Sequence, residues 1–307
     1  MALLTRVVLW DGESMAISHH VSHQSLRLPS IILRPILAVV ILVVADLSST
    51  LPILIPWVKA ARRQATGHGN ASIALFCVVT LICVTLTTLV ACASVWFLCR
   101  YLDKMPFSVV DLRLTSRGVL WFFSMIAVAC IIFAITMGIA HLAGVKGIPE
   151  DSSGDTWWAN MILAFGLGFL LQAIPEEIIF RGWLIPSLGN TKLAVALSVV
   201  TFGVIHIVSQ GGQQNLVERF IYLIMPLGFA FAAAIVRLAS HSVWAAIGVH
   251  GGLHISGTIM FFLPNESSPL QWTLLGVLWV LVGIIVNWRY KVIRNLEVKE
   301  SLASENS

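Results

Sequence analysis

Two adjacent glutamates, Glu176 and Glu177, stand in the otherwise apolar run Ala173-Ile174-Pro175-Glu176-Glu177-Ile178-Ile179-Phe180-Arg181-Gly182-Trp183-Leu184-Ile185-Pro186. A charged side chain at membrane depth costs about 2.5–3.5 kcal/mol on the mildest insertion scale, so such a pair faces a protein interior and has a task there. On a helix Glu177 and Arg181 are four apart and share one face, whereas Glu176 is rotated by about 100°. One carboxylate is neutralised by the arginine and the other is left available. A carboxylate held without a counter-charge in apolar surroundings is a candidate proton acceptor rather than a structural ion.

Three histidines lie in other apolar stretches. His206 follows Phe202 by four residues, and His250 and His254, also four apart, stack on one helix face behind Trp244. The glycines among them, Gly248, Gly251 and Gly252, let another helix or a substrate backbone come close. Counting the rise per residue from each helix's inner end gives Glu176, His206, His250 and His254 depths of about 18, 21, 12 and 18 Å, which is one layer. Such a layer holds what amide hydrolysis needs: a base for water, donors for the oxyanion and a proton for the departing amine. Glu176 with His206 can position and deprotonate water, and His250 and His254 can each offer a ring N–H. No serine or cysteine nucleophile with a matching base is evident, which disfavours an acyl-enzyme.

The elements that must position these groups are membrane helices. Of the 307 residues, 58% are hydrophobic and 11% charged, with a mean hydropathy of +0.89. Soluble domains carry about a quarter charged residues. Apolar runs long enough to cross occur near 31–57, 72–98, 119–142, 157–187, 192–210, 219–237, 242–263 and 270–288. The expected fold is all-α and polytopic, with eight transmembrane helices. It divides into a disordered tail (1–30), three N-terminal helices (31–155), a catalytic core of four helices (156–264), and a last helix with a cytoplasmic tail (265–307). Trp157 to Leu188 is 32 residues, about 48 Å of helix against a core of about 30 Å, so it must tilt or bend. Pro175 predicts a kink beside the acidic pair that frees carbonyls and admits water. Asp46, beside Ser48, Ser49 and Thr50, is expected to pack inward against those hydroxyls.

Charge gives an orientation. With both termini inside, the inner segments hold Arg6, Arg27, Arg34, Arg100, Lys104, Arg113, Arg117, Lys192, Arg237, Arg289, Lys291, Arg294 and Lys299. Outer loops hold only Lys59, Arg62, Arg63, Lys146 and Arg219, so cytoplasmic termini are expected despite the local Lys59–Arg63 cluster. The net charge of +4 reads as topology, not nucleic-acid binding. Cys77, Cys83, Cys92, Cys99 and Cys130 have no CxxC spacing and read as apolar packing. A metal-binding tract at His19, His20 and His23 is outweighed by a plain disordered tail. No secretory signal peptide is expected, since Asp11 and Glu13 follow the short N-terminal apolar run.

Taken together, Glu176-Glu177-xxx-Arg181 (EExxxR), Phe202-xxx-His206 (FxxxH), and Trp244 followed by His250-xxx-His254 resemble the three motifs of the CPBP family. These are intramembrane endopeptidases that include the type II CAAX prenyl proteases and the bacterial Abi proteins. The resemblance covers about 157–260 and departs at His254, where the family carries asparagine. It implies cleavage of a peptide bond in a membrane-associated peptide or protein, with Glu176 and His206 activating water and His250 and His254 as the oxyanion hole. An HxxxH pair with His206 and Glu176 is also a zinc-ligand pattern, so a metalloprotease is the alternative to metal-free catalysis. Transport and a non-catalytic immunity or scaffold role are rival classes. The absence of an internal repeat and the gathering of polar groups in one layer weigh against transport.

Overall fold

The computed structural model describes residues 28–65, 70–145, 157–209, 211–260 and 267–305. Among these, every regular element is helical. In chain order they are α1 (Leu28–Ser48), α2 (Pro56–Ala65), α3 (Asn70–Phe97), α4 (Ser116–Leu142), α5 (Trp157–Ser187), α6 (Lys192–Ile205), α7 (Leu216–Tyr222), α8 (Ile224–Ser240), α9 (Val243–Ile259), α10 (Pro269–Tyr290) and α11 (Val292–Glu305). Side-chain caps fix several starts: Thr115, Thr191, Ser242 and Ser268 accept from the backbone N–H of Gly118, Ala194, Trp244 and Gln271. The histidine-rich tail and Lys146 lie outside the described residues.

Each expected apolar stretch is a helix, but not every one is of spanning length. Among the described residues six runs are long and apolar enough to cross: Ser30–Leu54, Ser72–Leu102, Ser116–Leu142, Trp157–Ser187, Leu216–Ser240 and Pro269–Tyr290. Helices α6 and α9 have only 14 and 17 residues, short of the roughly 20 a bilayer needs. The all-α polytopic architecture stands, with six spanning-length helices where eight were expected. Two helices were not legible as apolar runs. In α2 the buried Val58 packs on Val79 and Cys83 of α3 while Trp57 stays exposed. The polar α11 folds back on α6, where Lys192 Nζ meets Glu297 Oε1 at 3.1 Å; the expected C-terminal tail is therefore helical through Glu305. Free cysteines are distributed through α3, its final turn and α4, three of them buried.

Polar contacts gather at one end of the bundle. The Asp103 carboxylate takes Arg34 Nη2 of α1 at 2.6 Å on one oxygen and Trp183 Nε1 of α5 at 2.7 Å on the other. Arg237 of α8 pairs with Asp111 at 3.0 Å and donates to the Val109 carbonyl at 2.8 Å. Trp244 of α9 donates to the Leu112 carbonyl at 2.9 Å. The segment between α3 and α4 is thus tied to four helices at once. Elsewhere backbones meet directly: Gly228 and Gly276 bring α8 and α10 so close that a methyl group on either would strike the other helix's backbone.

Asp103 has a side chain only 2% exposed, and removing one member of a buried ion pair strands the other. Asp103→Asn should therefore lower stability by about 3–5 kcal/mol, seen as a lower unfolding midpoint of the purified protein in detergent that added salt does not restore.

Candidate active site

Helix α5 carries the acidic pair, and it is not a uniform α-helix. Gly166–Ala173 and Ile178–Leu184 are π-helical, flanking a short α turn, Ile174–Glu177. In the first π stretch each N–H reaches five residues back, as Ile174 does to Phe169. The next residue in that register is Pro175, which has no N–H, so the Leu170 carbonyl loses its donor. Thr88 of α3 supplies one, its hydroxyl donating at 2.5 Å. A carbonyl is freed at Pro175, as the sequence suggests, but a neighbouring helix claims it.

Beyond the turn the two glutamates separate. Glu177 and Arg181 are fully buried, with Nη1 donating to Oε1 at 3.0 Å. Arg181 Nη2 also donates to the Ala230 carbonyl of α8 at 3.1 Å, and its guanidinium lies 4.5 Å from the Phe202 ring centre. The same Glu177 oxygen lies 3.0 Å from His250 Nδ1, so one carboxylate joins α5 to α9 and, through the arginine, to α8. Glu176 is 8% exposed, and its Oε2 finds no partner in the protein.

The three histidines differ in what their rings can offer. His206 ends α6, and its Nδ1 is 2.7 Å from the Phe202 carbonyl. A carbonyl only accepts, so Nδ1 carries the proton and Nε2 presents a lone pair. His250 is 1% exposed, and facing an ionised Glu177 its Nδ1 is likewise the protonated nitrogen. A neutral His250 therefore has no second N–H to give. His254 is exposed, makes no hydrogen bond among the described residues, and stacks against His250 with ring centres 4.9 Å apart. All three rings lie within electrostatic reach of one another, and Arg181 is within reach of His206 and His250.

The interleaved glycines admit helices. A methyl group on Gly248 would stand 2.5 Å from the Phe122 carbonyl oxygen of α4, one on Gly252 would strike Ala129 of α4, and Gly251 accommodates the Phe169 ring of α5. Asp46 also departs from expectation. Ser48, Ser49 and Thr50 donate to the carbonyls of Ala45, Asp46 and Leu47 instead of to its carboxylate. The exposed Asp46 side chain lies within electrostatic reach of Glu176, as does Tyr222 of α7. Among the described residues no three His, Cys, Asp or Glu side chains stand together as a metal ion requires.

Thr88, Tyr222 and the partner of Trp244 carry no signal in the sequence, because each acts through a contact far along the chain. Asp46 was visible as an intramembrane acid, but not its neighbour. Residues 157–256 match the family model described as Type II CAAX prenyl endopeptidase Rce1-like. No curated protein and no solved structure matches the chain.

Arg181→Met leaves the Glu177 charge buried beside a neutral imidazole and should cost about 3–5 kcal/mol. Replacing both members, Glu177→Met with Arg181→Met, should recover much of that loss because no charge is then stranded, as thermal unfolding in detergent would show.

Proposed function

We propose that this chain, whose residues 157–256 match the family model described as Type II CAAX prenyl endopeptidase Rce1-like, is an intramembrane endopeptidase in which Glu176 activates water to cleave a peptide bond of a membrane-associated peptide or protein. The observation that carries the reading is the asymmetry of the acidic pair. Glu177 is occupied by Arg181 and His250, while Glu176 sits almost buried with an oxygen that bonds nothing in the protein. A carboxylate so held can take a proton from water and is not tied up as a counter-ion.

The steps follow from the proton inventory. Glu176 removes one proton from the water as its oxygen attacks the scissile carbonyl carbon. His206 Nε2, the bare nitrogen, accepts a hydrogen bond from the same water and orients it. The carbonyl oxygen becomes an oxyanion, and His254, with no competing partner, donates a ring N–H to it. The protonated Glu176 then gives its proton to the amide nitrogen, the C–N bond breaks, and the carboxylate returns. Glu177 and Arg181 act through His250, holding its ring in place; His250 itself donates to the oxyanion only when doubly protonated. No metal enters any step.

The substrate lies in the bilayer or at its surface, since the candidate groups are carried by helices of a multi-pass membrane protein. Charge bias supports cytoplasmic termini.

Membranes carrying wild-type protein should contain cleaved fragments, found by comparative proteomics, that are absent with Glu176→Gln at equal abundance and unfolding temperature. Fragments that persist in Glu176→Gln would overturn the assignment. His254→Ala should lower turnover about 10²–10³-fold, and His254→Asn, which restores a neutral donor, should recover most of it. Activity lost on treatment with a strong zinc chelator and regained with zinc would replace the metal-free scheme.

A further inference from the structure

Beside Asp103, the final turn of α3 borders a cavity of about 510 Å³ lined by Trp96, Arg100, Lys104, Met105, Pro106 and Phe107. Its charge is unbalanced. Neither Arg100 nor Lys104 makes a salt bridge or hydrogen bond among the described residues. The one acid nearby in sequence, Asp103, is spent on Arg34 and Trp183.

The lysine sits where the helix ends. The helix is closed by Asp103 N–H to the Leu98 carbonyl and Met105 N–H to the Cys99 carbonyl, at 2.9 and 2.8 Å. Lys104 then takes φ +53°. That position favours glycine, and any other residue there carries a conformational cost. Lys104 lines the cavity together with Arg100.

The surroundings are those of a membrane surface. Trp96, Phe97 and Tyr101 are all about half exposed or more, at 49%, 56% and 59%. They form a cluster of rings at the end of a spanning helix, the arrangement typical of the headgroup level. Two free cations, an aromatic wall and an apolar floor at that level suit a phosphate group carried on acyl chains. The charge bias also assigns this end to the cytoplasmic leaflet, where anionic lipids concentrate.

We propose that this cavity binds the phosphate headgroup of an anionic phospholipid, with Arg100 and Lys104 as its ligands and the acyl chains running along the exposed aromatic face of α3. None of the lining residues belongs to the acid–histidine set, and the proposal does not depend on the proposed protease chemistry.

The test uses full-length protein in mixed micelles containing phosphatidylglycerol or phosphatidylcholine, with bound lipid counted by native mass spectrometry. Wild type should retain one phosphatidylglycerol in preference to phosphatidylcholine, and Arg100→Gln with Lys104→Gly should weaken that binding by about tenfold or more. Lys104→Gly alone should weaken binding while keeping or raising the unfolding temperature, because glycine is at ease at that φ. Arg113→Gln, at an exposed arginine of the same segment, should change nothing. Unchanged binding in the double variant, or an equal loss with Arg113→Gln, would overturn the site. Inorganic phosphate binding as tightly as the lipid, and displacing it, would assign the cavity to a soluble anion and overturn the lipid reading.

Discussion

A single oxygen, Oε1 of Glu177, holds the site together. It receives Arg181 from its own helix and faces His250 of α9, while the arginine continues to the backbone of α8. Buried ion pairs rarely add stability over an apolar replacement, because desolvation offsets the attraction. What this one supplies is direction: three helices that would otherwise pack by apolar contact alone are fixed in rotation about their axes. Phe202 and Phe229, in ring contact with each other and with His250, fill the space between, so the polar cluster is walled by groups that offer it no alternative partners. Glu177 is engaged through this one oxygen, whereas Oε2 of Glu176 has no partner in the protein.

The histidines show how identical side chains acquire different chemistry from their surroundings. His206 and His250 each commit Nδ1, one to a carbonyl and one to a carboxylate, which fixes the protonated nitrogen. His254 commits neither. It occupies the position where the resemblance expects asparagine, whose amide always has an N–H to give. An imidazole there meets the same need with one nitrogen of two, so neighbouring charge governs what it presents.

Much of this was legible along the chain because helices translate spacing into geometry. The four-residue interval from Glu177 to Arg181 is a contact on a helix, and the observed ion pair is that contact. His250 and His254 stack for the same reason, and apolar stretches read directly as helices. Length was less legible: α6 ends at His206 in a 3-10 turn, and nothing in its composition marks that end. The π-helical stretches of α5 were hidden too, since a Pro175 kink was the local expectation and the answer depended on α3. Asp46 was misplaced because its serine and threonine neighbours offered a local partner, whereas those hydroxyls turned to the backbone. The tie between Trp244 and Leu112 spans more of the chain than any periodicity reaches.

The bond from Thr88 to the Leu170 carbonyl has an implication for how the molecule is assembled. A helix normally settles its own hydrogen bonds, but here the Leu170 carbonyl left over before the acidic pair is satisfied by a hydroxyl from a helix made earlier in the chain. The segment matched by the family model contains the carboxylates and the imidazoles, yet not Thr88, which satisfies that carbonyl. The shape of the reacting layer is therefore a property of the whole bundle, and the N-terminal helices share in making it.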